Sequence, residues 1–277
     1  MWFAAAVGTA LCFGVNNSLF KWGTTRHLSK IGVQFFFYGI AFLLMLLYGL
    51  VTHSFHESLF SLVIGGLIGI LNTNGNIQMG KAFEKGPASI TSTLIAMNVL
   101  IPIALGAVFF PETIALLQWL GIALMVGAAV VVQYRPGGGG QPADYRQWVF
   151  RIALALLSIG AVGFLMKVAS SAGVSLVDIM TAMYGGGLAY LGVLMLRERA
   201  HLQELKVGSV VGLLSVCGYG FYMYALQHGP ASVVFPVISL NCLVVMVAGV
   251  FLYKERLKLY QLFGLAVALA GIVLARL

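Results

Sequence analysis

GPASITSTLIAMNVLIPIALGAVFFPETIALLQWLG at residues 86–121 and GPASVVFPVISLNCLVVMVAGVFLYKERLKLYQLFG at residues 229–264 are one pattern written twice. In a single register, 143 residues apart, Gly86-Pro87-Ala88-Ser89 falls on Gly229-Pro230-Ala231-Ser232 and Asn98 falls on Asn241. The same register sets Glu112 on Glu255, Gln118 on Gln261 and Gly121 on Gly264, and upstream it sets Gly65 and Gly69 on Gly208 and Gly212. A shift of 146 aligns the earlier part: Gly14 with Gly160, Lys21 with Lys167, Tyr38-Gly39 with Tyr184-Gly185. The chain is a tandem repeat, and the repeat has to be read before any single motif.

Around that repeat, 60% of the 277 residues are hydrophobic and only 9% are charged. A soluble domain carries about 25% charged residues, too many for this chain to supply, so its outer surface faces hydrocarbon. The apolar runs are continuous rather than alternating, which excludes a barrel. A spanning helix needs about 20 apolar residues, and ten such runs are present: 2–22, 31–51, 58–81, 87–109, 113–133, 147–167, 174–196, 207–227, 230–252 and 259–275. The predicted fold is an all-α integral membrane protein of ten transmembrane helices. Tyr134–Gln147, with Arg135-Pro136-Gly137-Gly138-Gly139-Gly140 and Pro142, is the one linker-like stretch. It divides a first five-helix repeat (1–133) from a second (147–277), with the Gly/Pro-rich linker at 134–146. Because five is odd, the second copy sits upside down relative to the first. Inverted repeats are a transporter architecture, with the site near the midplane between the copies.

Positive residues mark cytoplasmic loops. Of the 16 Lys and Arg, all but Lys167 and Arg276 fall on one side of the ten-helix scheme. That bias places both termini outside the cytoplasm. Met1–Phe20 has no basic segment ahead of its apolar run and reads as the first span, not a cleavable leader. The basic residues are spread over the helix ends, so the net charge of +8 does not point to nucleic acid. Cys12, Cys217 and Cys242 lie in apolar runs and give no disulfide framework.

The order Leu19-Phe20-Lys21, Gly-Pro-Ala-Ser, then Glu, Gln and a glycine-rich closing helix, repeated in both halves, resembles the EamA-like ten-helix members of the drug/metabolite transporter superfamily. The resemblance covers nearly the whole chain. It implies export or exchange of small metabolites, often amino acids or related compounds. Family members usually carry Gly-Glu where this chain has Pro111-Glu112 and Lys254-Glu255. They are usually described with both termini in the cytoplasm, opposite to the charge bias here.

Polar groups in hydrocarbon are expensive and need partners. Asn16, Asn17 and Ser18 lie in the first span; Asn72, Thr73, Asn74, Asn76 and Gln78 in the third; Ser89, Thr91, Ser92, Thr93 and Asn98 in the fourth; Ser232, Ser239 and Asn241 in the ninth. They could line a polar cavity or simply bond helix to helix. Asn98 and Asn241, matched and mid-helix, are placed where the copies converge. Asn72-Thr73-Asn74-Gly75-Asn76 is poor in helix formers; it could unwind locally and turn backbone carbonyls to a cavity, or merely lie at the wetter end of its helix. Tyr38, Tyr184, Tyr219, Tyr222 and Tyr224, with Trp22, could line the path and attract an ammonium group, or form an interfacial belt. The predicted substrate contacts are Asn16, Asn17, Asn72, Asn76, Asn98, Asn241, Tyr38, Tyr184, Tyr219 and Tyr222.

Lys21 and Lys167 lie at helix ends, where snorkelling accounts for them. A Lys167–Asp178 charge pair, or a coupling role for Lys21, Lys167 and Asp178, is the functional alternative. Glu112 and Glu255 read as structural. His53 and His56, beside Glu57, have the spacing of a metal pair but no further ligand, and His27, His201 and His228 lie in or beside loops. No metal, cofactor or catalytic constellation is called for, so an enzyme is not expected, and a scaffold would have no need of the repeat. The expected function is secondary transport of a small polar, amino-acid-like metabolite across the inner (plasma) membrane, with a small organic cation as the alternative cargo. The expected partners are that solute and the lipid bilayer; oligomeric state stays open.

Overall fold

The computed structural model describes residues 1–26, 28–56, 58–85, 91, 94, 95, 97–110, 115–133, 144–196, 201–253 and 259–276. Among these residues every regular element is a helix. The first half comprises α1 (Trp2–Thr25), α2 (Lys30–Thr52), α3 (Leu59–Lys85), a 3₁₀ turn at Met97–Val99 leading into α4 (Leu100–Phe109), and α5 (Leu116–Gln133). The second comprises α6 (Tyr145–Ser171), α7 (Leu176–Met195), α8 (Leu202–His228), α9 (Ala231–Ser239), α10 (Asn241–Tyr253) and α11 (Leu259–Arg276). Seven spans are long and apolar enough to cross a membrane, α9 and α10 forming one of them. Three shorter apolar helices, Met97–Gly106, Leu116–Val131 and Leu259–Leu274, supply the rest of the ten.

The surface is apolar where a soluble protein would be polar. Leu43, Leu47 and Leu50 of α2 and Leu62, Val63 and Leu67 of α3 are exposed, while Thr9, Asn16, Gln34, Thr73, Gln78 and Ser158 are buried. With hydrocarbon outside, the polar groups turn inward, and Thr9, Thr73, Gln78 and Ser158 find partners there.

The copies interleave. α3 packs on α6 and α7, and α8 packs on α1 and α2; α4 packs on α6, and α9 and α10 pack on α1; α2 meets α7 and α5 meets α11. Exchanging the halves returns the same set of neighbours. The correspondence holds at atomic detail. A Cβ on Gly65 would meet Ala182 Cβ, the Ile179 carbonyl and Met183 N, and one on Gly208 would meet Phe36 Cβ, the Val33 carbonyl and Phe37 N. Each of those neighbours is its counterpart's position shifted by 146. Gly75 against Ser158 and Ile159, and Gly218 against Cys12 and Phe13, repeat the relation. The fold is two inverted five-helix repeats. Helices attract each other weakly in lipid, and close approach through small residues is what holds such crossings together.

Two buried carboxylates fasten the ends. Glu204, 1% exposed, accepts from His201 N (3.1 Å) at the start of its own helix and from Ser29 N (3.0 Å) at the start of α2. Ser29 in turn caps α2 by accepting from Gly32 N. At the opposite end Asp178, in the first turn of α7, accepts from His56 N ahead of α3 with both carboxylate oxygens, each at 3.2 Å. The Lys167–Asp178 pair, the functional alternative read from the sequence, is not formed. Asp178 goes to His56, whose Nδ1 lies 3.9 Å from it. The ammonium of Lys167 goes to the Leu226 carbonyl at 3.4 Å and lies over the Phe110 ring.

Four variants of the purified protein test these contacts in thermal melting. Gly208→Val forces side-chain atoms into Phe36 and the α2 backbone and lowers stability by about 1–3 kcal/mol. Gly220→Ala on the same helix, where an added Cβ meets nothing within 4 Å, leaves stability unchanged or raised by up to about 1 kcal/mol. Glu204→Ala leaves the Ser29 and His201 amides without their acceptor and costs about 1–3 kcal/mol, with Glu204→Gln in between.

Candidate functional site

Between the two copies lies a cavity of about 310 Å³. Its wall is built from the same positions twice. α1 gives Phe13, Asn16 and Asn17, and α6 gives Ile159, Val162 and Gly163 at the matching places; α3 gives Asn72, Asn76 and Met79, and α8 gives Ser215, Tyr219 and Tyr222. The fourth span gives Ile95 and Asn98, the ninth Ile238 and Asn241. The chemistry is not symmetric. The first copy contributes amides toward the end where α1 and α3 finish, and the second contributes aromatic and small residues toward the opposite end. Phe13, Tyr219 and Tyr222 form one aromatic cluster, with Phe13 and Tyr219 centroids 4.9 Å apart. No Asp, Glu, Lys, Arg or His is among the described residues of the wall.

Eight of the ten expected contacts, Asn16, Asn17, Asn72, Asn76, Asn98, Asn241, Tyr219 and Tyr222, are in that wall. Tyr38 and Tyr184 are not. Both are 0% exposed and stand behind it. Asn72 Nδ2 donates to the Tyr38 hydroxyl at 2.8 Å and to that of Tyr219 at 3.0 Å, and the Tyr184 hydroxyl bonds Ser215 Oγ at 3.0 Å. These two tyrosines hold wall residues in place. Tyr224 stacks on His228, and Trp22 carries Arg26 over its ring, an interfacial arrangement. Lys21, Lys167 and Asp178 lie outside the wall. Glu112, Glu255, Glu57, His27, Ser89, Ser92 and Thr93 fall outside the described residues. Among the described residues no group of three or more His, Cys, Asp or Glu could hold a metal.

The polar run of the third span does not unwind; α3 continues unbroken from Leu59 to Lys85. Its amides instead serve two faces. Asn72, Asn76 and Met79, at spacings of four and three, face the cavity. Asn74 and Gln78, four apart, face α6, where Asn74 donates to Ser158 Oγ (3.1 Å), Gln78 donates to Asn74 Oδ1 (2.9 Å) and Arg151 Nη1 donates to Gln78 Oε1 (2.6 Å). Side-chain partners across the helix pairs keep the backbone in its own ladder.

The breaks fall in the fourth and ninth spans. At Met97–Val99 the helix tightens to a 3₁₀ turn, and at Leu240 it is interrupted between α9 and α10. Pro102 and Pro236 remove the N–H groups that the Asn98 and Ser232 carbonyls would have bonded. The matched asparagines bond other carbonyls of the same broken segments, each three residues back. Asn98 Nδ2 donates to the Ile95 carbonyl (2.7 Å) and Asn241 Nδ2 to the Ile238 carbonyl (2.9 Å). Asn17 Nδ2 then donates to Asn241 Oδ1 at 3.3 Å. Phe20, Phe37, Ser215 and Phe235 also line the wall. Ser215 was readable by carrying Asn72 through the repeat; the phenylalanines had no signal against so apolar a background.

Curated relatives match only part of this chain. The protein described as probable 4-amino-4-deoxy-L-arabinose-phosphoundecaprenol flippase subunit ArnE of Proteus mirabilis (strain HI4320) is 34% identical over 67 residues, 24% of this chain and 59% of that one. Its counterpart in Photorhabdus laumondii subsp. laumondii is 32% identical over 80 residues, 29% of this chain and 69% of that one. A solved crystal structure, described only as that of a protein, superposes with a TM-score of 0.81 at 12% identity, over 99% of this chain and 98% of that one; at that identity it speaks for the fold alone. The model of the EamA-like transporter family matches residues 1–134 and 146–277, and this multi-pass membrane protein belongs to that family.

Proposed function

We propose that this chain is a secondary transporter that exports a small polar solute of amino-acid type, carrying no net charge, across the cytoplasmic membrane. The observation that carries the reading is the uncharged wall. A charged solute would leave water for a site without a counter-ion, at a cost of several kcal/mol, whereas amides and tyrosine hydroxyls can replace the water around a polar, net-neutral one. The cavity sits between repeats that can rock against each other, opening it to either side in turn. Lys and Arg on the loops put both termini outside the cytoplasm, which makes the amide half of the wall the half nearer the cytoplasm. The Phe13–Tyr219–Tyr222 cluster favours one second cargo, a small organic cation held over aromatic faces.

The test is counterflow. Proteoliposomes loaded with unlabelled amino acids, taken one at a time, should accumulate the labelled form of at least one. Asn76 makes no hydrogen bond among the described residues, so Asn76→Leu leaves the protein's own network intact. It should cut that flux about ten-fold with melting unchanged. Flux of no amino acid, alongside counterflow of a quaternary amine, would transfer the assignment to the cation. Chemical labelling of a cysteine added at the C-terminus, by an impermeant reagent on intact cells, should succeed if the termini are outside; protection would reverse the sidedness.

A further inference from the structure

The broken helices fix the direction of the cavity's amides. A backbone carbonyl can only accept, so the group that Asn241 turns to the Ile238 carbonyl must be its NH₂. Its Oδ1 is thereby left for Asn17, and Asn17 must supply its own NH₂. The same logic applies to Asn98, whose NH₂ is spent on the Ile95 carbonyl. The repeat now shows a difference. The position matching Asn17 in the second copy is Gly163, which carries no donor. Where Asn241 Oδ1 receives an N–H from Asn17, Asn98, itself a residue of the cavity wall, has no donor to its Oδ1 from the described residues.

A second acceptor stands in the same wall. Asn16 is 6% exposed, and its Oδ1 is buried without a hydrogen-bond partner. A buried unpaired carbonyl costs stability, and its retention in a cavity wall marks a place where a partner arrives from outside the chain. No lining Lys or Arg among the described residues supplies a donor or repels a cation, and the Tyr219, Tyr222 and Phe13 rings close the opposite half.

We infer that the cavity takes its solute by an amine N–H head, which donates to Asn98 Oδ1 and Asn16 Oδ1 as Asn17 donates to Asn241. This deepens the transport reading above and rests on it. An ammonium group fits better than a hydroxyl because it has three donors and no acceptor to satisfy, matching a wall that offers unpaired acceptors. It also separates two kinds of cation. A primary or secondary ammonium can make these bonds; a fully methylated one cannot, and has only the aromatic faces.

The experiment is thermal stabilisation of the purified full chain by matched probes: L-amino acids and short alkylamines, each beside its N-trimethyl and N-acetyl derivative. At least one free amine should stabilise the protein, and both of its derivatives should bind at least about ten-fold more weakly. Asn16 makes no side-chain hydrogen bond among the described residues, so Asn16→Leu should melt no lower than the wild type without ligand and lose about ten-fold or more in affinity for that amine. Asn16→Asp, which keeps an acceptor, should retain binding. Equal binding of an N-trimethyl derivative, or unaltered amine affinity in Asn16→Leu, overturns the inference and leaves the transport reading standing. Counterflow of solutes that lack an amine N–H, with no amine binding, does the same. Absence of both binding and counterflow for every probe overturns the two together.

Discussion

The structure depends on how closely four helix backbones approach. Gly65 and Gly69 let α3 settle onto the Ile179–Met183 backbone of α7, and Gly208 and Gly212 let α8 settle onto Val33–Phe37 of α2. In lipid there is no gain from hiding leucine, because the surroundings are as apolar as the side chain. Contact must come from shape, and shape at this distance needs hydrogen in place of a methyl group. A side chain at any of these four glycines would push a first-copy helix away from a second-copy one. Since the two crossings are versions of one crossing, everything between them inherits an approximate twofold axis. The cavity lies between those crossings, walled by α1, α3, α6, α8 and the broken spans.

Symmetry sets the place of the wall and leaves its chemistry free. Asn16, Asn17, Asn72 and Asn76 have Val162, Gly163, Ser215 and Tyr219 as their counterparts. One half of the wall is thus wet in character and the other greasy and aromatic, on a single backbone design. A transporter of this architecture must present the site to both sides in turn. With unequal halves, the exchange of inside-open for outside-open forms is not an exchange of equivalent surfaces. Each form can bind the same solute with different strength, so the apparent affinity differs between the two sides while the direction of net flux stays with the gradient.

Much of this was legible in the sequence, and the failures are instructive. The repeat register alone paired Asn98 with Asn241 and put Gly65 and Gly208 at equivalent crossings. Eight asparagines and tyrosines of the cavity wall were readable because a polar residue in an apolar span has few reasons to be there. Depth was not legible: Tyr38 and Tyr184 share the polar signature of Tyr219 but stand one layer further back, since spacing reports a helix face and not what lies in front of it. The polar run at Asn72–Asn76 suggested unwinding because propensity treats each asparagine as a competitor for the backbone. In α3 Asn72 is occupied by Tyr38 and Tyr219 and Asn74 by Ser158, while Asn76 faces the cavity, and the backbone keeps its own ladder. Lys167 and Asp178 invited pairing because they flank one turn, whereas Lys167 goes to the Leu226 carbonyl of α8 and Asp178 to His56 in the connection ahead of α3.

The breaks at Asn98 and Asn241 join stability to binding chemistry. An interrupted helix in the middle of a membrane exposes carbonyls that no water is at hand to satisfy, each costing several kcal/mol. Serine could cover one, as Ser239 does for Pro236. An asparagine does more: once its NH₂ is committed to the backbone, its carbonyl oxygen is held in a fixed direction by the same bond. The repair of the helix therefore produces an oriented acceptor at the midplane, in each copy, at no further conformational cost. In the second copy Asn17 uses that acceptor to tie α1 to the break. In the first copy the residue that could have done so is a glycine, and the acceptor is left to the cavity.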